Sequence, residues 1–446
     1  MGRIVMKFGG TSVATAERIL SVVEIILAAG EKRPLVVVSA VGVSEKGEAK
    51  ITDQLETMAS LAHAGKPYQP NLDAIRLKHE KIIKELGLDW DIISPAWDKL
   101  LAALDNRERP YCEFLDEVFS FGERLSSRIM AAVLEKKGRP ARCVDVDELG
   151  IVTDEDFQDA NVPAGLEDKV LDGLREEERT LVVPGFVGKT PDGRITTLGR
   201  GGSDYTAALV GAAFGVEEIQ IWTDVSGMRC ADPRLIQDAE RLEYISFDEA
   251  KELASFGARV LHPKTIEPAM RKDIPVNILN SFAPELPGTI IRNERIKHGK
   301  VIKALASKTG VIRVDIESTR MLGASGYLAR LFEVFAKYDT DVDVVATSEV
   351  SVSLTVNNSR NLDKIVEELQ EFADVTADRN KTVICVVGEG MRHTPGVSGK
   401  VFSTLGTAGV NVEMISQGSS EINITFMVDD KDAERAIKAL YYACIS

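Results

Sequence analysis

Apolar and polar positions alternate along the start of the chain in blocks that are typical of strands followed by helices. Arg3 to Phe8 is predicted to form a strand, and the next amphipathic block predicts a helix from about Ser12 to Ala29, capped by Ser12 or Thr11. The unbroken apolar run at 35–38 is typical of a strand that is buried on both faces of a parallel sheet. The chain is therefore predicted to begin as strand, helix and strand.

The same alternation continues to about residue 297. Further strands are predicted at 141–146, 180–185, 195–198, 218–223 and 276–280, and helices at 204–214 and 247–254, whereas 70–137 is predicted to be mostly helical. Strands and helices that alternate between glycine-rich turns indicate an α/β layer fold. We therefore predict a mainly parallel sheet sandwiched by helices.

The last third of the chain contains an internal repeat. Residues 326–356 and 396–428 match in order, from GYLARLF against GVSGKVF to SEVSVSLTV against SEINITFMV. Each copy predicts helix, strand, turn and strand, and a further helix follows at 362–372 and 431–441, which gives two βαββαβ-like units. We place domains at 1–297, 298–378 and 379–446, with the strand at 301–307 left open to pack in the second small unit. Units this small are expected to pack on each other or across a dimer.

Charge and cysteine content exclude several classes of function. The formal net charge of −15 argues against a general binder of nucleic acid or of anionic membranes, although a local ring of Lys, Arg and helix N-termini can still bind an anionic substrate. The five cysteines form no CxxC pair and the five histidines no HExxH motif, so no metal site is predicted. The chain shows no signal-peptide pattern and no membrane-length apolar run, and we expect a cytoplasmic protein.

Two glycine-rich junctions carry candidate chemistry. Lys7 lies next to the last residue of the first predicted strand, and Gly9 and Gly10 follow that strand; paired glycines let backbone N–H groups approach phosphate oxygens, and Lys7 can place its ammonium on a transferring phosphate. The alternative is a tight turn with a solvated lysine. Arg200, in the sequence LGRGGSD, can hold a carboxylate with two hydrogen bonds. Asp204 either caps the following helix or orients an ammonium such as that of Lys7.

Two carboxylates complete the set of candidates. Asp224 follows the predicted strand 218–223, and the carboxyl ends of parallel strands are where α/β sheets bind ligands; the alternative is an ordinary capped turn. Glu123 follows a glycine inside a predicted helix, where glycine is unfavourable unless something approaches closely. It could hold a substrate ammonium, and the alternative is a surface glutamate paired with an arginine.

Taken together and in this order, the motifs resemble those of the monofunctional aspartate kinases, which have the amino-acid-kinase fold followed by a pair of ACT domains. The resemblance is carried by KFGGTSV at 7–13, VSAVG at 38–42, FGE at 121–123, TTLGRGGSDYTA at 196–207, WTDVSG at 222–227, DPR at 232–234 and FGARVLHP at 256–263. It covers nearly the whole chain. It implies transfer of the γ-phosphoryl group of ATP, with Mg²⁺, to the side-chain carboxylate of L-aspartate.

The resemblance also implies roles for individual residues. Lys7 and Asp204 would be catalytic. The aspartate-binding set would be Ser39, Thr52, Glu123, Arg200, Ser203 and Asp204. The nucleotide-binding set would be Lys7, Gly9, Gly10, Thr223, Asp224, Arg229, Arg234 and Arg259. Thr52 is displaced by the intervening segment 44–50, Arg229 stands where some relatives have Tyr, and Arg259 stands where many have Lys. Mg²⁺ is expected to be held mainly by the phosphates.

The ACT-like repeat implies feedback regulation by an amino acid, with lysine favoured over threonine, and a homodimer or larger oligomer. The candidate effector residues are Met321, Ser325, Asp343, Thr347, Ser348 and Glu349. Three alternatives remain open: a tail that only dimerises the chain, an enzyme of the same fold acting on glutamate, N-acetylglutamate or a nucleotide, and a non-catalytic amino-acid sensor. The GRGGSD and FGE motifs argue against the second, and the intact Lys7, Arg200 and Asp204 argue against the third.

Overall fold

The computed structural model describes residues 2–30, 32–44, 47–163, 165, 169–257, 263–293, 300–357 and 360–445. The chain divides into two compact units. The first contains Met1–Met228, Glu243–Phe247 and Leu261–Asn293, and the second contains Arg229–Leu242, Asp248–Val260 and Glu294–Ser446.

Up to residue 293 the chain alternates between strands and helices. In chain order the elements are β1 (Arg3–Phe8), α1 (Ala16–Ala28), β2 (Arg33–Val38), α2 (Ile51–His63), α3 (Gln69–Glu85), α4 (Ser94–Asp105), α5 (Tyr111–Lys136), β3 (Ala141–Cys143), α6 (Val146–Leu149), β4 (Thr180–Pro184), β5 (Val187–Lys189), β6 (Ile195–Thr197), α7 (Gly202–Phe214), β7 (Glu218–Thr223), β8 (Tyr244–Ser246), α8 (Phe247–Ser255), α9 (Pro263–Arg271), β9 (Val276–Asn280) and β10 (Thr289–Arg292).

The large sheet of the first unit is mainly parallel. Its strand order is β3-β4-β2-β1-β7-β9-β10-β8, and among these pairings only β9 with β10 is antiparallel within the described part of the chain. Phe8 at the end of β1 lies opposite Val38 of β2 and Trp222 of β7, and Val38 lies opposite Pro184 of β4. The turns that follow these four strands therefore meet at one edge of the sheet, which is the usual location of ligand sites in such folds.

The two faces of β1 have different partners because side chains alternate along a strand. Ile4, Met6 and Phe8 are buried in a hydrophobic core with residues of α1 to α5, and full burial of each such side chain contributes about 1.5–3 kcal/mol. Lys7 points to the opposite face, where it meets α7. The predicted α/β fold, with a mainly parallel sheet between helices, is confirmed.

The start of the first helix differs from the prediction. Residues Gly10–Val13 form a 3-10 turn, and α1 begins only after Thr15, whose hydroxyl accepts a hydrogen bond from the Arg18 N–H at 3.2 Å. The predicted caps Ser12 and Thr11 are therefore wrong. The physical reason is that the glycine turn is hydrogen-bonded to the neighbouring loop. The chain can therefore become α-helical only after this turn.

The third strand is shorter than predicted. It ends at Cys143, because Asp145 and Glu148 form a capping box that begins the short helix α6. Each side chain of the pair accepts a hydrogen bond from the backbone N–H of the other. The Asp-x-x-Glu spacing was visible in the sequence and would have predicted this helix start.

Beyond residue 300 the chain forms the two predicted repeats. The elements are β11 (Ala304–Glu317), α10 (Tyr327–Lys337), β12 (Val342–Thr347), β13 (Ser351–Val356), α11 (Leu362–Gln370), β14 (Asp374–Val387), α12 (Val397–Thr407), β15 (Met414–Ser416), β16 (Asn423–Asp429) and α13 (Asp430–Cys444). They form one antiparallel sheet in the order β12-β13-β11-β14-β16-β15.

Within the described ranges, no helix has both the length and the apolar character needed to cross a bilayer.

The two repeats share their longest strands. β11 and β14 pair antiparallel over their whole length, from Ala304 opposite Val387 to Glu317 opposite Asp374. The first half of β11 lies beside the half of β14 that pairs with β16, and its second half pairs with β13. β14 runs without interruption through residue 378, and the division into domains at 297 and 378 stays a prediction.

Candidate functional site

The turns after β1, β2, β4 and β7 are joined to one another across the sheet edge by backbone hydrogen bonds. The Gly9 N–H donates to the Trp222 carbonyl at 3.2 Å, the Ser39 N–H to the Phe8 carbonyl at 3.1 Å, and the Gly185 N–H to the Val38 carbonyl at 3.0 Å. Short regular strands therefore hold the candidate residues of several turns in a fixed relative position.

Lys7 and Asp204 form an ion pair at the centre of this edge. The Lys7 Nζ lies 2.5 Å from Asp204 Oδ1, and both side chains are largely buried. The cap of α7 is Gly201, in the left-handed conformation and without a side-chain hydrogen bond. Asp204 lies inside the first helical turn and does not cap the helix. Of the two alternatives left open by the sequence, the structure therefore favours the pairing with Lys7.

The glycines of the first turn contribute mainly by leaving space for close approach, and less by offering free N–H groups to a ligand. The Gly9 N–H is already bonded to Trp222, and a Cβ at Gly9 would lie 3.7 Å from Lys7 Nζ. Gly10 lies against the loop after β2, where the Gly42 N–H donates to its carbonyl at 3.0 Å. A Cβ on Gly42 would lie 2.4 Å from the Gly10 carbonyl, a distance that real contacts do not reach. The two loops can approach this closely only because both positions are glycine.

Gly42→Ala should push the two loops apart. We expect kcat/KM for the nucleotide to fall by about tenfold or more, and the free energy of unfolding to fall by about 1–3 kcal/mol, which is typical of overpacking. Gly173→Ala is the matched control, because no atom of the described residues, other than those of its own turn and chain neighbours, lies within 4 Å of its added Cβ. Steady-state kinetics and thermal melts of both variants measure these effects, and wild-type kinetics for Gly42→Ala would show that the close contact is dispensable.

Glu123 is buried at the same edge, on the helix α5. A Cβ on the preceding Gly122 would lie 2.8 Å from the Cβ of Ala40, so the glycine allows α5 to approach the end of β2. Burial raises the pKa of the Glu123 carboxyl to about 8, opposed by a hydrogen bond from the Ala40 N–H and by the charge of Lys7. Its Oε2 atom is buried and has no partner within the described residues. The predicted alternative, a surface glutamate paired with an arginine, is wrong.

Arg200 and Ser203 lie in the turn that leads from β6 into α7. Arg200 is exposed and forms no hydrogen bond or ion pair with the part of the chain that the structure describes. Ser203 is buried, and a Cβ on Gly185 would lie only 2.6 Å from its Cβ. The start of α7 is thus packed closely against the end of β4, while the guanidinium of Arg200 is left accessible to an anion.

The structure places Ser39 at this edge, whereas the place of Thr52 in the site stays a prediction. Ser39 follows β2, and its carbonyl accepts a hydrogen bond from the Ser126 hydroxyl at 2.7 Å. Thr52 is the second residue of α2, one turn before Leu55, which packs against Gly122. No described contact joins Thr52 to Lys7, Glu123 or the Arg200 turn.

Thr223 ends β7 and Asp224 follows it, at the same edge as Lys7. The Thr223 hydroxyl lies 3.2 Å from Asp224 Oδ1, and the Thr223 carbonyl accepts hydrogen bonds from the backbone and hydroxyl of Ser281. The Ser281 hydroxyl also bonds to that of Ser12 at 2.7 Å. This bridge between the first glycine turn and the end of β9 was missed, because a lone serine after a strand gives no sequence signal.

The other residues predicted to bind the nucleotide are Arg229, Arg234 and Arg259, and none of them belongs to the described part of the unit that contains this edge. Arg229 and Arg234 belong to the second compact unit. The Arg229 guanidinium donates to the Ala239 carbonyl at 2.6 Å, and Arg234 is paired with Asp232. Arg259 lies outside the described residues. The roles of these three arginines stay predictions.

The effector candidates lie in the first repeat. Asp343, on β12, forms an ion pair of 2.9 Å with Lys308 of β11. Thr347, Ser348 and Glu349 form the exposed tip between β12 and β13, closed by a 2.7 Å hydrogen bond between the hydroxyls of Ser348 and Ser351.

A backbone contact brings the other effector candidates towards this tip. The Ser318 N–H donates to the carbonyl of Val350 at 2.9 Å, and Ser318 directly precedes the 3-10 turn that ends at Met321. Ser325 lies four residues further on and is exposed. The loop before α10 and the tip after β12 are therefore neighbours, as a shared ligand site requires.

Comparisons with known proteins agree with this architecture. Residues 2–280 match the amino acid kinase family, and residues 384–443 match the ACT domain. The chain is 39 % identical over 459 residues to aspartokinase 1, chloroplastic, of Arabidopsis thaliana, which covers 98 % of this chain and 79 % of that protein. It is 34 % identical over 458 residues to lysine-sensitive aspartokinase 3 of Escherichia coli, which covers 98 % of both chains.

Solved structures show the same likeness over the full length. The crystal structure of E. coli aspartokinase III in complex with aspartate and ADP matches with a TM-score of 0.84 and 32 % identity, covering 100 % of both chains. That of Clostridium acetobutylicum aspartate kinase matches with a TM-score of 0.84 and 30 % identity, covering 99 % of this chain and 100 % of that one. The predicted family is confirmed: this chain belongs to the aspartokinases, phosphotransferases of the amino acid kinase family with a C-terminal ACT domain.

Proposed function

We propose that the sheet edge around Lys7 binds ATP and L-aspartate and transfers the γ-phosphoryl group to the side-chain carboxylate of aspartate, giving 4-phospho-L-aspartate. The observation that supports this most strongly is the buried Lys7–Asp204 pair, at 2.5 Å, between two glycine-rich turns. A cation fixed at that point can neutralise charge on the group in transfer. The product is the activated aspartate from which lysine, threonine and methionine synthesis begins.

The proposed reaction needs positioning and charge neutralisation more than proton transfer. An oxygen of the aspartate side-chain carboxylate, already ionised at neutral pH, attacks the γ-phosphorus, the bond to the β–γ bridging oxygen breaks, and ADP leaves. Lys7 would contact the phosphoryl oxygens, and Asp204 would hold Lys7 in place. No general base is required, because the nucleophile carries no proton.

The substrate's backbone groups have candidate partners on either side of Lys7. Arg200, exposed and without a described partner, suits the α-carboxylate, since a guanidinium holds a carboxylate with two hydrogen bonds. Glu123, whose Oε2 is buried and has no partner in the described part of the chain, suits the ammonium. Ser39 and Ser203 would complete the aspartate pocket, and Thr52 is assigned to it by resemblance alone.

The nucleotide would lie across the turns after β1 and β7. Gly9 and Gly10 leave room for phosphates next to Lys7, and Thr223 and Asp224 would contact the remainder of the nucleotide. Mg²⁺ fits best on the phosphates themselves, because the described residues contain no group of three metal-ligating side chains and Asp204 is occupied by Lys7. When bound, the ion would neutralise the β- and γ-oxygens.

A substrate panel tests this function. Purified protein with ATP and Mg²⁺ is given aspartate, glutamate or N-acetylglutamate, and the acyl phosphate is trapped with hydroxylamine. We expect aspartate to be preferred by about 100-fold or more, because the site must match the distance between two charged groups. A preference for glutamate or N-acetylglutamate would indicate a glutamate-type kinase, and lysine binding without any phosphorylation would indicate a sensor.

We also propose that the first repeat binds a feedback amino acid, lysine rather than threonine, at the Met321–Ser325 loop and the Thr347–Glu349 tip. The E. coli relative is named for its sensitivity to lysine. Among the residues that the structure describes, Asp343 has one cationic partner, Lys308. The matching carboxylate of the second repeat, Glu413, is held by both Lys381 and Arg313, so an effector ammonium would have to displace two cations there.

Self-association through the first repeat would complete this proposal. Leu322, Leu328 and Val350 lie in or next to the effector loops along the chain and are 62 %, 41 % and 42 % exposed. Large apolar side chains exposed to solvent are typical of an interface where they form one patch. A mass measurement by light scattering should give at least twice the monomer mass, and a strict monomer would contradict this part of the proposal.

Asp343→Asn should weaken inhibition by lysine. Loss of the negative charge removes a partner for the effector's ammonium, and we expect the inhibitory concentration to rise about tenfold or more. Asp341→Asn is the matched control, an exposed aspartate two residues away, and should leave the inhibition curve unchanged. Equal curves for both variants would place the effector elsewhere.

A further inference from the structure

Asp116 is a fully buried carboxylate on α5, about two turns before Glu123. It accepts three hydrogen bonds: Oδ2 from the Thr197 N–H at 2.7 Å and from the Gln158 N–H at 3.0 Å, and Oδ1 from the Thr197 hydroxyl at 3.0 Å. Burial raises the pKa of its carboxyl to about 6 and the three bonds oppose that rise, so the group is ionised above neutral pH. The proposed phosphoryl transfer does not use this carboxylate.

The groups bonded to Asp116 support the turn that carries Arg200. Thr197 is the last residue of β6 and directly precedes that turn. Its carbonyl accepts a hydrogen bond from the Ala160 N–H at 3.0 Å, and a Cβ on Gly199 would lie 2.2 Å from Asp159 Oδ1. The loop 154–161 is therefore packed directly behind the turn, and a shift of either segment moves the guanidinium.

Gln158 is held in a conformation that needs outside support. Its φ is 73°, in the left-handed region that residues other than glycine seldom adopt. Such a backbone persists where surrounding contacts determine it. The hydrogen bond from its N–H to Asp116 is a contact of that kind, so the carboxylate fixes the loop as well as the strand.

We propose that Asp116 is a positioning residue that sets the placement of the Arg200 turn relative to Glu123. This inference rests on the proposed function, in which Glu123 binds the ammonium of aspartate and Arg200 its α-carboxylate. Both groups are attached to one carbon atom, so their two partners must keep a nearly fixed separation. Glu123 lies on α5, and Asp116 joins that same helix to the turn.

Three variants isolate this role. Asp116→Ala removes all three acceptors. Asp116→Asn can keep the network, because its amide oxygen can accept from both backbone N–H groups and its NH₂ can donate to the Thr197 hydroxyl. Glu113→Gln is the matched control. Glu113 lies one turn before Asp116 on α5 and pairs with Arg194, which precedes β6. In this variant Arg194 keeps its pairs with Glu155 and Asp192.

The experiment measures KM for aspartate, KM for ATP and kcat in all three variants. Asp116→Ala should raise KM for aspartate about tenfold or more, while KM for ATP and kcat at saturation stay within about threefold. Asp116→Asn should return KM for aspartate to within about threefold of the wild type, and Glu113→Gln should leave it unchanged. If Asp116→Ala does not fold, Thr197→Val, which keeps the Thr197 N–H bond but loses the hydroxyl bond, should raise KM for aspartate about sixfold or more, beyond the threefold margin, while KM for ATP stays within that margin.

Equal rises of both KM values, an Asn variant as defective as the Ala variant, or an unchanged KM for aspartate in Asp116→Ala would each overturn the positioning role. A wild-type protein that does not phosphorylate aspartate would contradict the proposed function itself and this inference with it. Wild-type turnover combined with any of the first three results would contradict only the role of Asp116.

Discussion

Lys7→Ala should abolish nearly all phosphorylation of aspartate. We expect kcat to fall by about 10³-fold or more, because the variant loses the cation that faces the transferring group in a largely buried position. It also leaves Asp204, 2.5 Å from the ammonium in the wild type, as an uncompensated negative charge next to the phosphates. The hydroxylamine assay measures this loss directly.

Two further variants show whether the loss is specific. Lys81→Ala removes an exposed lysine from α3 and should retain wild-type kcat. Lys7→Ala combined with Asp204→Asn should recover part of the lost rate, because the unpaired carboxylate no longer repels the phosphates. A Lys7→Ala protein that is folded and retains more than about a tenth of wild-type kcat would remove Lys7 from the mechanism.

Glu123→Gln should lower kcat/KM for aspartate about 100-fold and change its pH dependence. In the free enzyme burial raises the pKa of Glu123 to about 8, so the carboxyl must lose its proton before it can hold the ammonium. In the wild type, kcat/KM for aspartate should therefore rise with pH until about 8, and this limb should be absent in the variant. Glu56→Gln, an exposed position on α2, is the control and should keep the wild-type profile.

The same group links stability to pH. Its raised pKa means that the folded protein without substrate binds the proton more tightly than the unfolded chain does. The resulting stability is fully present below the unfolded value of about 4.5 and is lost as pH rises through about 8. Glu123→Gln is neutral throughout, so the amount by which its melting temperature exceeds that of the wild type should grow from about pH 5 to about pH 8 and level off above that. A constant difference across this range would show that Glu123 titrates normally.

The sequence predicted those elements whose signal is local. β1, β7 and β9 have the predicted limits, because each is a short segment rich in apolar and β-branched residues and is followed by turn residues. The repeat after residue 300 predicted the helices and strands of the two small units from their matched patterns. These elements could be predicted because they depend on the periodicity of apolar and polar positions, which can be read from a single sequence.

Features that depend on distant contacts could not be predicted. α1 begins only after Thr15 because Gly10 of the first turn is packed against Gly42, 32 residues away in the chain. The sequence could not decide whether Asp204 caps α7 or pairs with Lys7, because the direction of the Lys7 side chain depends on the fold. Asp116 and Ser281 lie in no recognisable motif, and only the fold brings them to their partners Thr197 and Ser12. The role of Thr52 stays a prediction.

The identity of the phosphorylated carboxylate tests the central claim most directly. Protein, ATP, Mg²⁺ and aspartate are incubated, the product is reduced with borohydride, and the amino alcohols are identified by chromatography and mass spectrometry. A phosphorylated side-chain carboxylate gives homoserine, and the account predicts homoserine that depends on ATP and on Lys7. Reduction at the α-carboxylate would give the isomeric 3-amino-4-hydroxybutanoate, and that product, or no amino alcohol at all, would contradict the proposed placement of aspartate between Glu123, Arg200 and Lys7.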